Sequence, residues 1–374
     1  MARLQLDGVA QSYTPGEPDE KFALKPLDLE LEPGQTYALV GPSGCGKTTL
    51  LNILSGLVTP SSGRVLFDGV DVTQTPTRRR NIAQVFQFPV IYRSMTVREN
   101  LAFPLECRGW DKGKIRERVG SVADALGLGN RLDDRARKLS ADEKQLISLG
   151  RGLVRDDVAA VLMDEPLTVI DPQLKLSLRR KIRELSEEFA PTVIYVTHDQ
   201  YEAMTFAHEL LVMRDGRVMQ RGTPEQLFEA PASTYVGWFV GSPSMNFLEG
   251  RSEGGGVRVG PHLILPAWHP PTPVGADVTV GIRPEYVRLL SPEATAGPAS
   301  GSGFVGRENV VEGTVLGLQN HGATRVCEVD VAGQKTTVKL GRNRFTPRPG
   351  ERVDLVLPRE KVLPYLDGRL ATAS

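Results

Sequence analysis

The stretch Tyr37-Ala38-Leu39-Val40-Gly41-Pro42-Ser43-Gly44-Cys45-Gly46-Lys47-Thr48-Thr49-Leu50-Leu51-Asn52-Ile53-Leu54 decides the fold. Its first four residues form a short apolar run of buried-strand type, and Thr48 to Leu54 opens a helix. Between them stands Gly-x-x-x-x-Gly-Lys-Thr, the phosphate-loop pattern, in the strand-loop-helix context that the pattern needs. Glycines let backbone N–H groups converge on phosphate oxygens, and the helix N-terminus adds a favourable field. Lys47 is placed to reach a β- and a γ-phosphate, and the Thr48 hydroxyl can hold Mg²⁺. Gly41, Pro42, Ser43, Gly44, Cys45, Gly46, Lys47, Thr48 and Thr49 are therefore the candidate phosphate-binding residues.

Val158-Ala159-Ala160-Val161-Leu162-Met163-Asp164-Glu165 supplies a second half. An apolar strand that delivers an acidic residue to a sheet edge is what Mg²⁺ coordination needs, so Asp164 pairs with Thr48 as a candidate metal ligand. The adjacent Glu165 is the candidate to polarise an attacking water, as a general base or an orienting acceptor. Seen alone, a strand followed by Asp-Glu is a strand followed by a solvated turn; the phosphate loop changes that reading. Thr192 to Val196 is another buried-strand run with a polar end, where α/β sheets place ligands.

The flanking composition sets bounds. Lys and Arg number 45, as do Asp and Glu, so the 374-residue chain carries no net charge. That argues against a bulk nucleic-acid binder, which carries a basic excess. No stretch approaches the 18 or so apolar residues of a membrane helix, and the start lacks the apolar core of a signal peptide, so the chain reads as cytosolic. Cys45, Cys107 and Cys327 are far apart and odd in number, which fits neither a disulfide framework nor a zinc site.

Up to about residue 240, apolar runs alternate with helical patterns, as in a layered α/β domain with a largely parallel sheet. The texture then changes. Gly250-Arg251-Ser252-Glu253-Gly254-Gly255-Gly256 reads as a loop, and Ser291 to Gly303 is rich in Ser, Ala, Pro and Gly. Alternating segments such as Val278 to Ile282 and Val353 to Leu357, with turn signals at His321-Gly322 and Ala332-Gly333, predict a small β domain, a barrel or sandwich.

Further residues narrow the class. Gln87 in Val85-Phe86-Gln87-Phe88-Pro89, Asp171 in Thr168-Val169-Ile170-Asp171, and His198 in Val196-Thr197-His198-Asp199 follow the order and spacing of the ABC-type ATPases. Leu139-Ser140-Ala141-Asp142-Glu143 stands where that family places its Leu-Ser-Gly-Gly-Gln signature. Residues 1–240 thus resemble the ABC ATP-binding domain, and the resemblance implies a P-loop NTPase fold that binds and hydrolyses ATP with Mg²⁺. Lys47, Glu165 and His198 would be catalytic, and Thr48, Gln87 and Asp164 would face the metal. Tyr13 would stack on adenine, an aromatic face needing no hydrogen-bond geometry. Gln87 would also report γ-phosphate occupancy to a membrane partner. Ser140 and Asp171 would act in trans across a dimer interface.

Residues 241–374, with Gly281-Ile282-Arg283-Pro284-Glu285, resemble the OB-like (TOBE-type) regulatory domain of importer ATPases of the sugar and glycerol-phosphate type. Within that group, the signature beginning Leu139-Ser140-Ala141-Asp142, the run from Gln145 to Gly152 and Leu167-Thr168-Val169-Ile170-Asp171-Pro172 look most like ATPase subunits of glycerol importers. The resemblance implies two membrane-spanning permease subunits as partners, and a second ATPase subunit, with a heterodimer favoured over the alternative of a homodimer. It implies, indirectly, a periplasmic or extracellular solute-binding protein, and no nucleic acid. The chain would be peripheral on the cytoplasmic side of the inner (plasma) membrane. The alternative is a soluble ABC ATPase not linked to transport, but such proteins carry fused nucleotide domains or long coiled-coil insertions, which this chain lacks.

The signature departs from its family, since Ala141, Asp142 and Glu143 replace Gly-Gly-Gln. Ser140-x-x-Glu143 still makes a capping box, so the helix start is expected to persist. Asp142 would bring a carboxylate towards a triphosphate unless it turns outward, and outward is the expected geometry. Phe88 to Tyr92, just past Gln87, is the candidate docking surface for membrane subunits. Cys45 has two readings: a thiol made acidic by the helix N-terminus, or a small buried packing residue.

Overall fold

The structure is a computed structural model that describes residues 2–14, 16, 18, 21–189, 191–268, 270–290, 308–320, 322, 324–341 and 346–371. The Ser291–Gly303 segment and His321 lie outside the described residues. Two compact units divide the chain, Met1–Pro224 and Glu225–Ser374.

In the first unit the order is β1 (Leu4–Gln11), β2 (Leu24–Leu31), β3 (Thr36–Val40), α1 (Lys47–Ser55), β4 (Ser62–Phe67), β5 (Val70–Asp71), β6 (Ile82–Val85) and α2 (Val97–Glu106). There follow α3 (Lys112–Ala125), α4 (Ala141–Leu153), β7 (Ala160–Asp164), α5 (Pro172–Phe189), β8 (Val193–Thr197), α6 (Gln200–Phe206), β9 (Glu209–Arg214) and β10 (Arg217–Gly222). The central sheet runs β10-β9-β3-β8-β7-β6. Its strands β9, β3, β8, β7 and β6 pair in parallel, and β10 closes one edge antiparallel. Strands β3 and β8 are buried at every position, which is why they read as unbroken apolar runs rather than alternating ones.

Parallel register aligns the strand ends that carry chemistry. Val40 of β3 pairs with Thr197 of β8, and Val196 of β8 pairs with Asp164 of β7. The residues that follow, the phosphate loop, His198 and Glu165, therefore leave the sheet side by side at its carboxyl edge.

A second sheet, ordered β2-β1-β4-β5, is antiparallel throughout, which the expectation of one largely parallel sheet did not include. Leu4, Leu6 and Val9 of β1 and Leu29 of β2 pack with Leu50, Leu51 and Leu54 of α1, burying one face of the phosphate-loop helix. The opposite core joins α2, α3 and α4 through Leu101, Val119, Val122, Ile147 and Leu149.

The second unit opens with two short helices, α7 (Pro224–Glu229, whose first residue ends the first unit) and α8 (Thr234–Phe239). Its first sheet uses β11 (Asn246–Glu253), β12 (Gly256–Val259), β13 (His262–Ile264) and β14 (Asp277–Ile282). The rest are β15 (Arg288–Leu290), β16 (Glu308–Asn320), β17 (Arg325–Val331), β18 (Gln334–Leu340), β19 (Arg352–Pro358), β20 (Leu363–Leu366) and β21 (Arg369–Leu370). They form two antiparallel sheets, β13-β12-β11-β14-β20-β21 and β15-β19-β16-β17-β18, around one apolar core that includes Leu248, Val280, Val329 and Leu355.

One reading of the sequence is revised here. Most of Gly250–Gly256 is strand rather than loop. Gly250 pairs with Val278, and only Gly254-Gly255 makes the turn, both at positive φ. Gly250 sits in a strand because a Cβ there would stand 2.5 Å from the Arg258 carbonyl oxygen. The compact units part at Pro224. The reason is Arg283, only 2% exposed, whose guanidinium donates to the carbonyls of Phe228 and Gly237, both at 2.9 Å, and of Val240. It also lies over the Phe228 ring, 4.3 Å from the centroid, so α7 and α8 are tied to the β unit.

Candidate functional site

Three loops converge at the carboxyl edge of the central sheet. The phosphate loop takes its shape from backbone that only glycine tolerates: Gly41, Gly44 and Gly46 have φ of 156°, 79° and 105°. A Cβ on Gly46 would stand 2.6 Å from the Ala23 carbonyl oxygen, and one on Gly41 would stand 2.3 Å from that of Met213. Gly46 is the N-cap of α1, so the first turn of the helix points its free N–H groups along the loop. Lys47 is buried, and its ammonium crosses the loop to donate to the carbonyls of Gly41 at 2.8 Å and Pro42 at 2.9 Å. A cavity of about 220 Å³ is lined by Ala23, Ser43, Gly44, Gly46, Lys47, Thr48, Thr49 and Glu165.

Glu165 ends the Asp164 strand in a left-handed conformation, φ +46°, unfavourable for a residue with a side chain. Its N–H is fixed to the Val196 carbonyl at 2.9 Å, which holds the turn. The carboxylate then meets Nδ1 of His198, 3.2 Å from Oε2, and accepts from the Thr168 hydroxyl at 3.3 Å. Observed strain at such a point is characteristic of functional turns. With Nδ1 bonded to the carboxylate, Nε2 of the exposed His198 ring is left for a further partner. Beside it, burial above all, and then the Glu165 charge, push the Asp164 carboxyl up, while a hydrogen bond from Thr48 and the nearby Lys47 ammonium pull it down; the net direction is up.

The remaining predicted residues fall into two groups. Tyr13 is at the rim, exposed, with its hydroxyl 3.3 Å from the Thr49 hydroxyl. Gln87, Ser140 and Asp171 do not line the cavity. Gln87 is half-buried just beyond β6. The Ser140 hydroxyl accepts the Glu143 N–H at 3.2 Å, and the Glu143 carboxylate accepts the Ser140 N–H at 2.9 Å, so the predicted capping box is present. Arg131 pairs with Glu143 at 3.0 Å, which neutralises part of the altered signature, and Asp142 is half-exposed. Asp171 caps the start of α5, accepting the Gln173 N–H at 2.8 Å.

Cys45 takes the second of its two readings. It is 3% exposed, and burial pushes its thiol up despite the nearby Lys47. Sequence reasoning also missed residues that hold the site together. Buried Gln145 donates to the Phe86 carbonyl at 3.1 Å and the Pro166 carbonyl at 2.8 Å, joining α4 to the strand exits beside Gln87 and Glu165. Arg151, two turns further along α4, donates to the Val90 carbonyl and stacks on Tyr92, 4.6 Å from the ring centroid. Six residues apart on α4, the two stand roughly 120° from each other around the helix, so no shared-face pattern in the sequence pointed to them as a pair.

Comparison with known proteins agrees with this architecture. The chain matches the ABC transporter family over residues 24–168, the MalK OB fold domain over 241–287 and the TOBE domain over 280–363. It is 39% identical over 362 residues to the sn-glycerol-3-phosphate import ATP-binding protein UgpC of Chromohalobacter salexigens, covering 96% of this chain and 92% of that relative. It is 41% identical over 296 residues to the trehalose import ATP-binding protein SugC of Mycobacterium tuberculosis, covering 77% and 73%. Among solved structures, cbiO1 from Clostridium perfringens, part of the ABC transporter complex cbiONQ, matches with a TM-score of 0.54 and 27% identity over 61% of this chain and 90% of that one. Similarity sustained along nearly the whole length of a relative leaves one placement: the chain belongs to the ATP-binding subunits of ABC transporters, ATPases whose phosphate-loop domain is followed by MalK-type OB and TOBE domains.

Proposed function

We propose that this chain powers an importer of a small polyol or sugar-type solute, with glycerol the favoured cargo. The observation that carries the ATPase part is the meeting of Glu165 and His198 at the mouth of the phosphate-loop cavity. ATP would lie with its triphosphate along the loop N–H groups and its adenine on Tyr13. Lys47 would exchange its loop carbonyls for the β- and γ-phosphates. Glu165 would orient the attacking water, and His198 would use Nε2 towards the γ-phosphate while Nδ1 keeps Glu165 in place.

Thr48 and Asp164 fit Mg²⁺: they are hard oxygen donors set against each other, and the described residues hold no cluster of three or more His, Cys, Asp or Glu that would form an all-protein cage. Thr48, Asp164 and Gln87 would hold the ion, which when bound would neutralise phosphate charge.

Ser140 and Asp171 stand outside the cavity, in keeping with service to the site of a second ATPase subunit, either a different chain or a copy of this one. Phe88 and Val90, 69% and 53% exposed, give the segment after Gln87 an apolar surface suited to two membrane-spanning permease subunits. A solute-binding protein would deliver cargo on the far side. No helix among the described residues is long and apolar enough to cross a membrane, which accords with a peripheral subunit on the cytoplasmic face.

Glycerol rests on the likeness of residues 139–172 to glycerol-importer ATPases, whereas relatives are named for sn-glycerol-3-phosphate and trehalose. Uptake of labelled glycerol, sn-glycerol-3-phosphate and trehalose by cells carrying wild-type or Glu165→Gln protein tests the assignment. Glutamate-dependent uptake of glycerol is the expected result, and Glu165-dependent uptake of another of the three instead would replace the cargo.

A further inference from the structure

The catalytic turn that carries His198 has a buried support. Strand period two places Tyr195 and Thr197 on one face of β8, and both hydroxyls donate to the same oxygen, Oε2 of Glu202, at 3.0 Å. Glu202 is 4% exposed and Tyr195 1%. The Thr197 hydroxyl also accepts the Asp199 N–H at 3.0 Å, so a single side chain ties both neighbours of His198 to the buried carboxylate. Asp199 in turn caps α6, accepting the N–H groups of Tyr201 at 2.9 Å and Glu202 at 3.1 Å, which fixes Glu202 relative to the turn. From the other side the Glu165 N–H holds the Val196 carbonyl. His198 itself is 61% exposed along its side chain and gains little from packing, so its aim at Glu165 depends on these backbone anchors.

We infer that Glu202 is a positioning residue for the ATPase reaction, acting through Thr197 to hold His198 in register with Glu165. This rests on the reading of His198 proposed above. The carboxylate does not line the phosphate-loop cavity; its effect is on geometry, and therefore on turnover rather than on nucleotide binding.

Tyr195 supplies an internal control. Tyr195→Phe and Thr197→Val each remove one hydroxyl from Glu202, and each leaves the carboxylate with one partner. Only the second loosens the turn, while the Tyr195 ring keeps its packing on Phe206, 4.8 Å between centroids. Phosphate release by the assembled complex containing this chain, together with ATP binding and melting temperature, is the measurement. Thr197→Val and Glu202→Ala should lower kcat at least tenfold with KM for ATP changed less than threefold. Glu202→Gln, which keeps one acceptor, should recover a substantial part of the loss. Tyr195→Phe should stay within twofold of wild type in kcat even if it melts earlier. Equal losses from Tyr195→Phe and Thr197→Val, or a kcat within twofold for Glu202→Ala while His198→Ala is inactive, would overturn the inference and leave the His198 reading intact. Full activity of His198→Ala would instead overturn that reading and this inference with it.

Discussion

Nδ1 of His198 lies 3.2 Å from Oε2 of Glu165, and the two residues reach each other from adjacent parallel strands, each the first residue after its strand ends. The contact defines the ring orientation: with Nδ1 engaged, Nε2 is the free nitrogen. It also predicts two different losses. Glu165→Gln should lower ATP turnover by roughly 10²–10⁴-fold, the usual contribution of a general base, while ATP binding persists. His198→Ala should lower turnover with a smaller change in affinity. Phosphate release and nucleotide binding measured on the same preparations check both, and hydrolysis by Glu165→Gln within threefold of wild type would remove Glu165 from its role.

Gly46→Ala should be more damaging than its one added methyl suggests. The position has φ +105°, and the new Cβ would stand 2.6 Å from a backbone oxygen that cannot swing aside. A cost of about 1–3 kcal/mol in stability is expected from the backbone strain, and ATP affinity should fall at least tenfold as the loop opens. Thermal melting and a nucleotide titration read the two effects separately.

Asp164 should show a trade between stability and activity. Its carboxyl is pushed up in the folded chain, mainly by burial, so folding favours the protonated form. That contribution is fully present below the unfolded pKa and is lost as pH rises through the folded one. At neutral pH, Asp164→Asn should therefore melt at a higher temperature than wild type without nucleotide, with the difference closing as pH falls into the ordinary carboxylate range. Hydrolysis should be lost in the variant. A melting temperature that stays equal to wild type from pH 4 to 8 would contradict the sign.

Arg283→Met would take this donor from the buried carbonyls of Phe228 and Val240, while that of Gly237 keeps the Met245 N–H at 3.3 Å. At about 1–3 kcal/mol for a buried unsatisfied group, and with partial relaxation, a loss of roughly 2–5 kcal/mol is expected in the second unit. Calorimetry of the full chain should show its transition moving down, while ATP affinity in the first unit stays within twofold. The Gly281-Ile282-Arg283-Pro284-Glu285 motif is thus explained by architecture: its arginine collects the carbonyls of two short helices.

Thiol labelling separates the cysteines. Cys107 is exposed, Cys45 and Cys327 are buried, and burial pushes Cys327 up to about 11. Iodoacetamide at pH 8 should modify Cys107 first, with the other two reacting only on unfolding. Mass spectrometry of the alkylated peptides gives the order, and native labelling of Cys45 as fast as Cys107 would revive the acidic-thiol reading.

The phosphate loop was legible because its chemistry is local: glycine spacing, one lysine and one threonine act within a single strand-loop-helix. The Ser140–Glu143 cap was legible for the same reason. Gly250 was misread because a local window sees a glycine and infers a turn, whereas the close approach of the Arg258 carbonyl, eight residues along, makes glycine the strand residue. Glu202 escaped notice because a glutamate in the first turn of a helix looks like an ordinary surface residue until its two hydroxyl donors from β8 are seen.

By itself, then, the sequence determined the α/β class, the phosphate loop, the acidic strand end and a β-rich second unit, all features written in spacing and alternation over short windows. The tertiary structure decided the rest. Parallel pairing of β3, β8 and β7 brings Lys47, His198 and Glu165 together, burial makes Cys45 a packing thiol, and Arg283 draws α7 and α8 into the second unit. Each depends on hydrogen bonds and desolvation between segments far apart in the chain, and no local pattern encodes those.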